Sequence, residues 1–288
     1  MKTYYNARYV SSSDGFPTVS KAGKVAASLR TDPIAGAEVA DPSAFRDETL
    51  AIVARVHDAG YLAALRTGDP RDLAETSGLG WTDETWDIAI EHSTGLVAAV
   101  DTALAGSTTA GSMSSGLHHA RRASGTGYCS VNGLTVACTA AFDRGAERVL
   151  CLDVDDHCGG GTFSMLGRHR RFTQIDVSTS FTYDRFPAHG DHLRLPARNT
   201  DYVARITEAL GHAASLPQFD LIVVNAGMDP INAGVSVEDV RERERLVRDF
   251  VGATPAVFAF AGGYTWGGHD MDDIVSWHRM TIEEWASR

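Results

Sequence analysis

Residues 148–162 read RVLCLDVDDHCGGGT. The run opens as a short apolar segment of strand character, then delivers Asp153, Asp155, Asp156 and His157 ahead of three glycines. On an extended chain, side chains two apart share a side. Asp153, Asp155 and His157 therefore point one way, and Val154 and Asp156 the other. Carboxylates and an imidazole on one face form a donor set for a divalent metal of zinc type. Taken alone, the Asp155-x-His157 pair is a weak signal, because Asp and His at a strand end also cap turns.

Working outward, further buried strands are read at 220–227 (DLIVVNAG) and 256–263 (AVFAFAGG), with others over Phe172–Val177 and near Thr3–Asn6. Helical periodicity covers about 21–29, 44–64, 84–104, 131–144, 199–214, 237–251 and 271–285. Apolar strands alternating with amphipathic helices predict an α/β protein with a mainly parallel sheet covered on both faces. Residues 11–17 (SSSDGFP) and 68–85 are read as loops. So is the Gly- and Ser-rich stretch 105–132, which carries His118 and His119, and an irregular segment at 181–192. No repeat or linker divides the chain, so 1–288 is taken as a single domain.

The 43% hydrophobic content is ample for a core, and the net charge of −11 disfavours a phosphate-binding surface, so nucleic acid is excluded as a partner. No eighteen apolar residues run together and MKTYYNARYV has no signal-peptide core, so no membrane partner and a cytoplasmic location are expected. Cys129, Cys138, Cys151 and Cys158 form no C-x-x-C pair and are read as reduced. Oligomeric state is left open.

The polar residues fall at the carboxyl ends of the apolar runs, which is where α/β sheets bind ligands. Asp229 follows the strand at 220–227, where a carboxylate is costly unless paired or bound to a cation. With Asp155 and His157 it makes a two-carboxylate, one-imidazole site with open positions. Asp229 is alternatively a turn residue before Pro230. His118 and His119 suit a general base and an electrostatic partner that activate water at the metal, or else a polar loop. Tyr264, after Gly262 and Gly263, suits a donor to a developing oxyanion, or an ordinary tight turn.

Five ordered segments, GLHHA at 116–120, GYCSVNG at 127–133, D-x-D-x-H-x-G-x-G-T at 153–162, AGMD at 226–229 and GGY at 262–264, resemble the histone deacetylase and acetylpolyamine amidohydrolase family over roughly residues 75–270. The resemblance implies an arginase/deacetylase-like, three-layer α/β/α fold. It also implies Zn2+, or alternatively Fe2+, on Asp155, His157 and Asp229. His118 and His119 take the tandem-histidine positions, Asp153 pairs with His118, and Tyr264 is the oxyanion tyrosine. Tyr128 and Phe186 match aromatic walls of an acyl-lysine tunnel, flanked by Gly127, Gly262 and Gly263. A structural K+ would use Asp153 with the backbone carbonyls of Asp155 and His157, helped by Asp176.

Departures from the pattern are as informative. Gly160 stands where the family places an Asn or Asp that orients the second histidine, so His119 is expected to lack its partner. Cys158 replaces a histidine, Asp156 an apolar residue, and DGFPTVSKAG an H-P-E-x-P motif. Gly159 lacks the carboxylate that a binuclear manganese ureohydrolase would need, which disfavours that activity. The implied function is a zinc-dependent amidohydrolase that removes an acetyl or similar acyl group from a small-molecule or peptide amide. The alternative is a metal-retaining, catalytically impaired binding or regulatory member of the fold.

Overall fold

The computed structural model describes residues 1–10, 17–106 and 108–287, with the side chains of 17–19 left aside. The loop read at 11–17 lies outside the described residues but for Pro17. Eight strands form one sheet: β1 (Lys2–Tyr4), β2 (Glu38–Ala40), β3 (Thr109–Ser115), β4 (Val149–Asp153), β5 (Phe172–Ser178), β6 (Leu193–Pro196), β7 (Leu221–Gly227) and β8 (Ala256–Ala261). Their order is β2-β1-β3-β8-β7-β4-β5-β6, and every pair is parallel.

Strand periodicity sorts the core into two layers. On one face Leu150 and Leu152, with Val154 just past the end of β4, pack with Ile222 and Val224 of β7 and Phe258 and Phe260 of β8. Helices α1 (Pro17–Thr31), α8 (Tyr202–Ser215), α10 (Val237–Val251) and α11 (Met271–Ala286) cover that face. On the other, Val149, Cys151, Leu221, Val223 and Val257 meet α2 (Arg46–Val56), α3 (Ala59–Thr67), α5 (Thr85–Gly106) and α6 (Gly133–Asp143). The result is the expected three-layer α/β/α arrangement. Among the described residues, no helix is long and apolar enough to cross a membrane.

Two expectations change. The single helix read over 44–64 is broken at His57, which is extended, and Asp58 caps α3 by accepting from the backbone N–H groups of Gly60 and Tyr61. The break is useful: the Nδ1–H of His57 donates to the Arg122 carbonyl at 3.2 Å and its Nε2 accepts from Asn132 N at 3.1 Å, tying down the loop after the tandem histidines. Part of the stretch read as irregular, 109–115, is the central strand β3, TAGSMSS, buried at every position. Its small residues carry no β-propensity signal. They are small because both faces are crowded, with the Phe258 ring lying across Gly111 and Ser112 facing Gly95 of α5. A register shift between Ser112 and Ser115 then interrupts the regular pairing with β8 just before the histidine segment.

A buried arginine on α10 ties two strand ends together. The Nη1 of Arg243 donates to the carbonyls of Val154 at 3.2 Å and Gly227 at 2.5 Å, and to the Tyr202 hydroxyl at 3.2 Å, while its Nη2 donates to Glu244. Val154 and Gly227 immediately precede the segments that carry Asp155 and Asp229. Arg243→Ala leaves the buried Glu244 carboxylate without this cationic partner, with only the neutral donors Thr281 and Trp285, and strips a donor from both carbonyls. It should cost about 3–5 kcal/mol in urea-unfolding stability, and a loss below about 1 kcal/mol would contradict this anchoring role.

Candidate metal centre and active site

The parallel sheet aims the carboxyl ends of β3, β8, β7 and β4 at one region. Past β4 the backbone turns through side-chain acceptors: Asp155 N donates to Asp153 Oδ1 at 3.3 Å, and His157 N to Asp155 Oδ1 at 3.0 Å. Asp156 N donates to Asp229 Oδ1 at 3.1 Å, which ties the β4 and β7 loops together. His157 Nδ1 stands 3.6 Å from Asp155 Oδ1 and 3.4 Å from Asp229 Oδ2. One ligand atom from each of the three residues lies within 4.8 Å of the others. Bonds of about 2.0–2.1 Å around a tetrahedral ion separate neighbouring ligand atoms by about 3.3 Å. Two carboxylates and an imidazole at this spacing fit a divalent metal such as Zn2+, and the three residues predicted from sequence are those brought together.

The electrostatics follow from burial. Burial and the neighbouring Asp155 charge push the Asp229 carboxyl up to about 7. Asp155 is held far below the usual carboxylate range, the positive charge of His118 and the contacts to His157 outweighing its burial. Burial would lower the basicity of His157, but its two carboxylate neighbours overcome that and bring it to about 11. Asp156, which had no role in the sequence reading, accepts a hydrogen bond from the Thr179 hydroxyl and lies 3.4 Å from the Nε2 of His157, the nitrogen facing away from the metal ligands.

The tandem histidines differ sharply. His118 Nδ1 donates to Asp153 Oδ2 at 2.7 Å, as expected, and Asn225 Nδ2 holds the other oxygen at 2.9 Å. Against the effect of burial, Asp153 and Asp155 raise His118 to about 10, so it is cationic. His119, its ring centroid 4.0 Å away, is lowered to about 4 by burial and by the His118 charge, and is neutral. The expectation that His119 lacks a partner is corrected: its Nδ1 donates to Asp184 Oδ2 at 2.7 Å. Asn132, in the GYCSVNG segment, donates to the His118 and Ala120 carbonyls at 3.2 and 2.9 Å and fixes the histidine loop.

On the opposite wall, Asn232 accepts from Tyr264 N at 3.0 Å and donates to its carbonyl at 2.8 Å, and the Tyr264 ring stacks on Trp266 at 4.3 Å. Burial, then the charges of Asp229 and Asp155, raise the phenol above its usual value, so it remains a donor. Gly262 has φ +50°, and a Cβ there would stand 2.3 Å from the Asp229 carboxylate, so only glycine admits this approach. Its carbonyl accepts from Lys21 Nζ at 2.6 Å. Lys21 is fully buried and lowered to about 8 by burial, partly offset by Asp229 and Asp155.

His118, His119, Asp155, His157, Asp229, Gly262, Tyr264, Gly127 and Tyr128 all line one narrow cavity of about 50 Å³. It opens into a cleft of about 450 Å³ bordered by Tyr128, Tyr183, Tyr264 and Trp266. Gly263 sits behind, against His278 and Ile274. Tyr128 takes the wall position expected of it, but Phe186 does not. It is buried and stacked on Phe163 at 4.2 Å, and Tyr183 faces His119 and His157 from that loop instead. Packing of Phe186 on Phe163 leaves Tyr183 as the aromatic residue of that loop that borders the cleft.

Asp153 and Asp176 are register partners on β4 and β5, both fully buried. Asp176 accepts from Gln174 Nε2 at 2.7 Å and Gly159 N at 3.2 Å, and burial together with the Asp153 charge raises it well above the carboxylate range. A Cβ on Gly159 would lie 2.5 Å from Asp153, so no carboxylate for a second metal fits there. Sequence reasoning missed Lys21, Asp184, Tyr183 and Arg243. Lys21 carried a usable signal, since it lies in DGFPTVSKAG, the run that replaces the H-P-E-x-P motif.

The all-parallel eight-stranded sheet with this cluster at its strand ends is the arginase/deacetylase type of α/β fold. The histone deacetylase domain model matches residues 18–278, and the chain belongs to that family. It superposes on acetylpolyamine aminohydrolase from Burkholderia pseudomallei with a TM-score of 0.79 at 20% identity, covering 100% of this chain and 99% of that one. An uncharacterized protein of Picosynechococcus sp. is 28% identical over 240 residues, 75% of this chain and 76% of the relative. Acetylpolyamine amidohydrolase of Mycoplana ramosa is 29% identical over 147 residues, 39% of this chain and 43% of the relative.

Because His157 is protonated near neutrality in the metal-free protein, metal uptake must displace its proton. Zn2+ affinity of the stripped protein should rise about tenfold per pH unit between pH 7 and 8, and more steeply below pH 7, where Asp229 also holds a proton. Calorimetric titration in buffers of different ionisation enthalpy reads the released proton directly, and a pH-independent affinity would contradict this electrostatic picture.

Proposed function

We propose that the protein is a zinc-dependent amide hydrolase that removes an acetyl or similar acyl group from an amine. The observation that carries this reading is the convergence, in one cavity of about 50 Å³, of a two-carboxylate, one-imidazole ligand set, a neutral histidine, a cationic histidine and a protonated phenol. Asp155, His157 and Asp229 would hold Zn2+, which supplies Lewis-acid polarisation of a carbonyl and lowers the pKa of water.

The chain's own groups divide the remaining work. Asp184 accepts a hydrogen bond from His119 Nδ1–H, so Nε2 is the atom that accepts a proton from attacking water. His118, cationic between Asp153 and Asp155, offsets the negative charge beneath the reacting carbon. The Tyr264 hydroxyl donates to the oxygen on which negative charge develops. The proton gathered at His119 then passes to the departing nitrogen, which leaves as the free amine beside the carboxylic acid.

The narrow cavity has room for an acetyl group, and the wider aromatic cleft for the chain of the amine, whether a small molecule or a peptide. The names of the acetylpolyamine-hydrolysing relatives place acylated amines among the first substrates to try. Asp153 and Asp176, with the carbonyls of Asp155 and His157, remain our assignment for a structural K+. The impaired alternative is motivated by Gly160 and Cys158; the bond from His119 to Asp184 favours the hydrolase reading over it.

The purified protein should hold about one zinc per chain and hydrolyse members of an N-acetyl-amine panel. Tyr264→Phe should lower kcat about 10²–10³-fold, and His119→Ala about 10²–10⁴-fold. A zinc-loaded protein that releases no acid from any acyl-amide would overturn the assignment.

A further inference from the structure

Asp184 belongs to the loop that follows β5, outside every motif read from the sequence, yet its side chain is almost fully buried behind His119. Its Oδ2 accepts from His119 Nδ1 at 2.7 Å and from Gly161 N at 3.1 Å, while its Oδ1 accepts from the Arg121 guanidinium. A carboxylate is expensive to bury, and here both oxygens are satisfied, one by a ring in the cavity and the other by a residue two positions further along the same histidine loop. The backbone at Asp184 has φ +52°, in the left-handed region that Asp enters at lower cost than most residues.

The loop's seat excludes any side chain at Gly160. A Cβ there would lie 2.0 Å from the Asp184 carbonyl oxygen and 2.6 Å from its Oδ1. Positions 160 and 184 are thus mutually exclusive: glycine at one is the condition for the carboxylate at the other. One residue before Asp184, the Tyr183 ring stands edge-on to His119 at 4.8 Å and to His157 at 5.6 Å, and borders the cleft.

We propose that Asp184 is the positioning residue for His119, fixing its Nδ1–H tautomer from the loop after β5. The segment that forms one wall of the substrate cleft is then the same segment that orients the base. A reading of Asp184 as a mere ion-pair partner of Arg121 leaves unexplained why its second oxygen accepts from His119 Nδ1 and Gly161 N behind the cavity. Arg121 is itself 44% exposed, so pairing with it does not require Asp184 to be buried.

The inference rests on the hydrolase reading for its kinetic arm and is independent of it for its spectroscopic arm. The zinc-loaded full-length protein, ¹⁵N-labelled at histidine, is compared with Asp184→Asn and Asp184→Ala. Wild type should show His119 as a single Nδ1–H tautomer. Asp184→Asn keeps an acceptor for that proton, so the tautomer should persist with kcat lowered no more than about tenfold. Asp184→Ala should give a mixture of tautomers and lower kcat by about 100-fold, with KM changed less than threefold and bound zinc unchanged.

An unchanged His119 signal or an unchanged kcat in Asp184→Ala overturns the proposal, as does an Asn variant no better than the Ala variant. Should Asp184→Ala not fold, Asp184→Gly, which suits the left-handed backbone, takes its place: a mixture of tautomers with kcat lowered about 100-fold supports the assignment, and an unchanged His119 signal or a wild-type kcat overturns it. If the wild type hydrolyses nothing, the hydrolase reading falls, and the ring signal still decides the place of Asp184.

Discussion

Four carboxylates, Asp153, Asp155, Asp176 and Asp229, are buried within one edge of an otherwise apolar sheet, and the rest of the structure is arranged to make that tolerable. Isolated charges cannot remain ionised in such surroundings, so each must find a proton, a cation or several donors. Asp153 has His118 and Asn225, and Asp176 has the Gln174 amide and the Gly159 N–H. Asp155 and Asp229 face each other across His157, and the neighbouring buried cations are His118 and Lys21. A divalent ion among these three ligands is the compensation that their spacing fits.

The sheet makes this crowding possible. Parallel strands with both faces covered can be wholly apolar along their length, as β4 and β8 are up to their carboxyl ends, and four adjacent strands bring those ends within contact distance. Arg243 holds the β4 and β7 ends in place from behind, and Lys21 holds the Gly262 carbonyl next to Asp229. His119 is neutral beside a cationic His118 because burial and the His118 charge outweigh the opposing effect of Asp184. That split lets one of two adjacent imidazoles serve as a base while the other carries charge.

Most of the site was legible in the sequence because its residues lie in short segments with fixed spacing after apolar strands. Asp155, His157, Asp229, His118, His119 and Tyr264 all come to the cavity predicted for them. What was hidden has physical causes. Strand β3 is built of Gly, Ala, Ser and Met because its neighbours leave no room for larger side chains, so propensity pointed to a loop. The cleft wall is Tyr183 rather than Phe186, and the partner of His119 is Asp184 rather than a residue at 160, because the loop after β5 packs Phe186 on Phe163 and brings Tyr183 and Asp184 to His119. The seat of Asp184 requires glycine at 160, a steric relation visible only when both are seen in the same space.

The central claim is that these buried carboxylates are organised around a single divalent metal. Anomalous diffraction at the zinc absorption edge from crystals of the zinc-loaded protein tests it most directly. The account predicts one strong peak about 2.0–2.2 Å from the His157 Nδ1 and from oxygens of Asp155 and Asp229, and none beside Gly159. A peak on other residues, a second zinc beside the first, or no zinc at this site would contradict it.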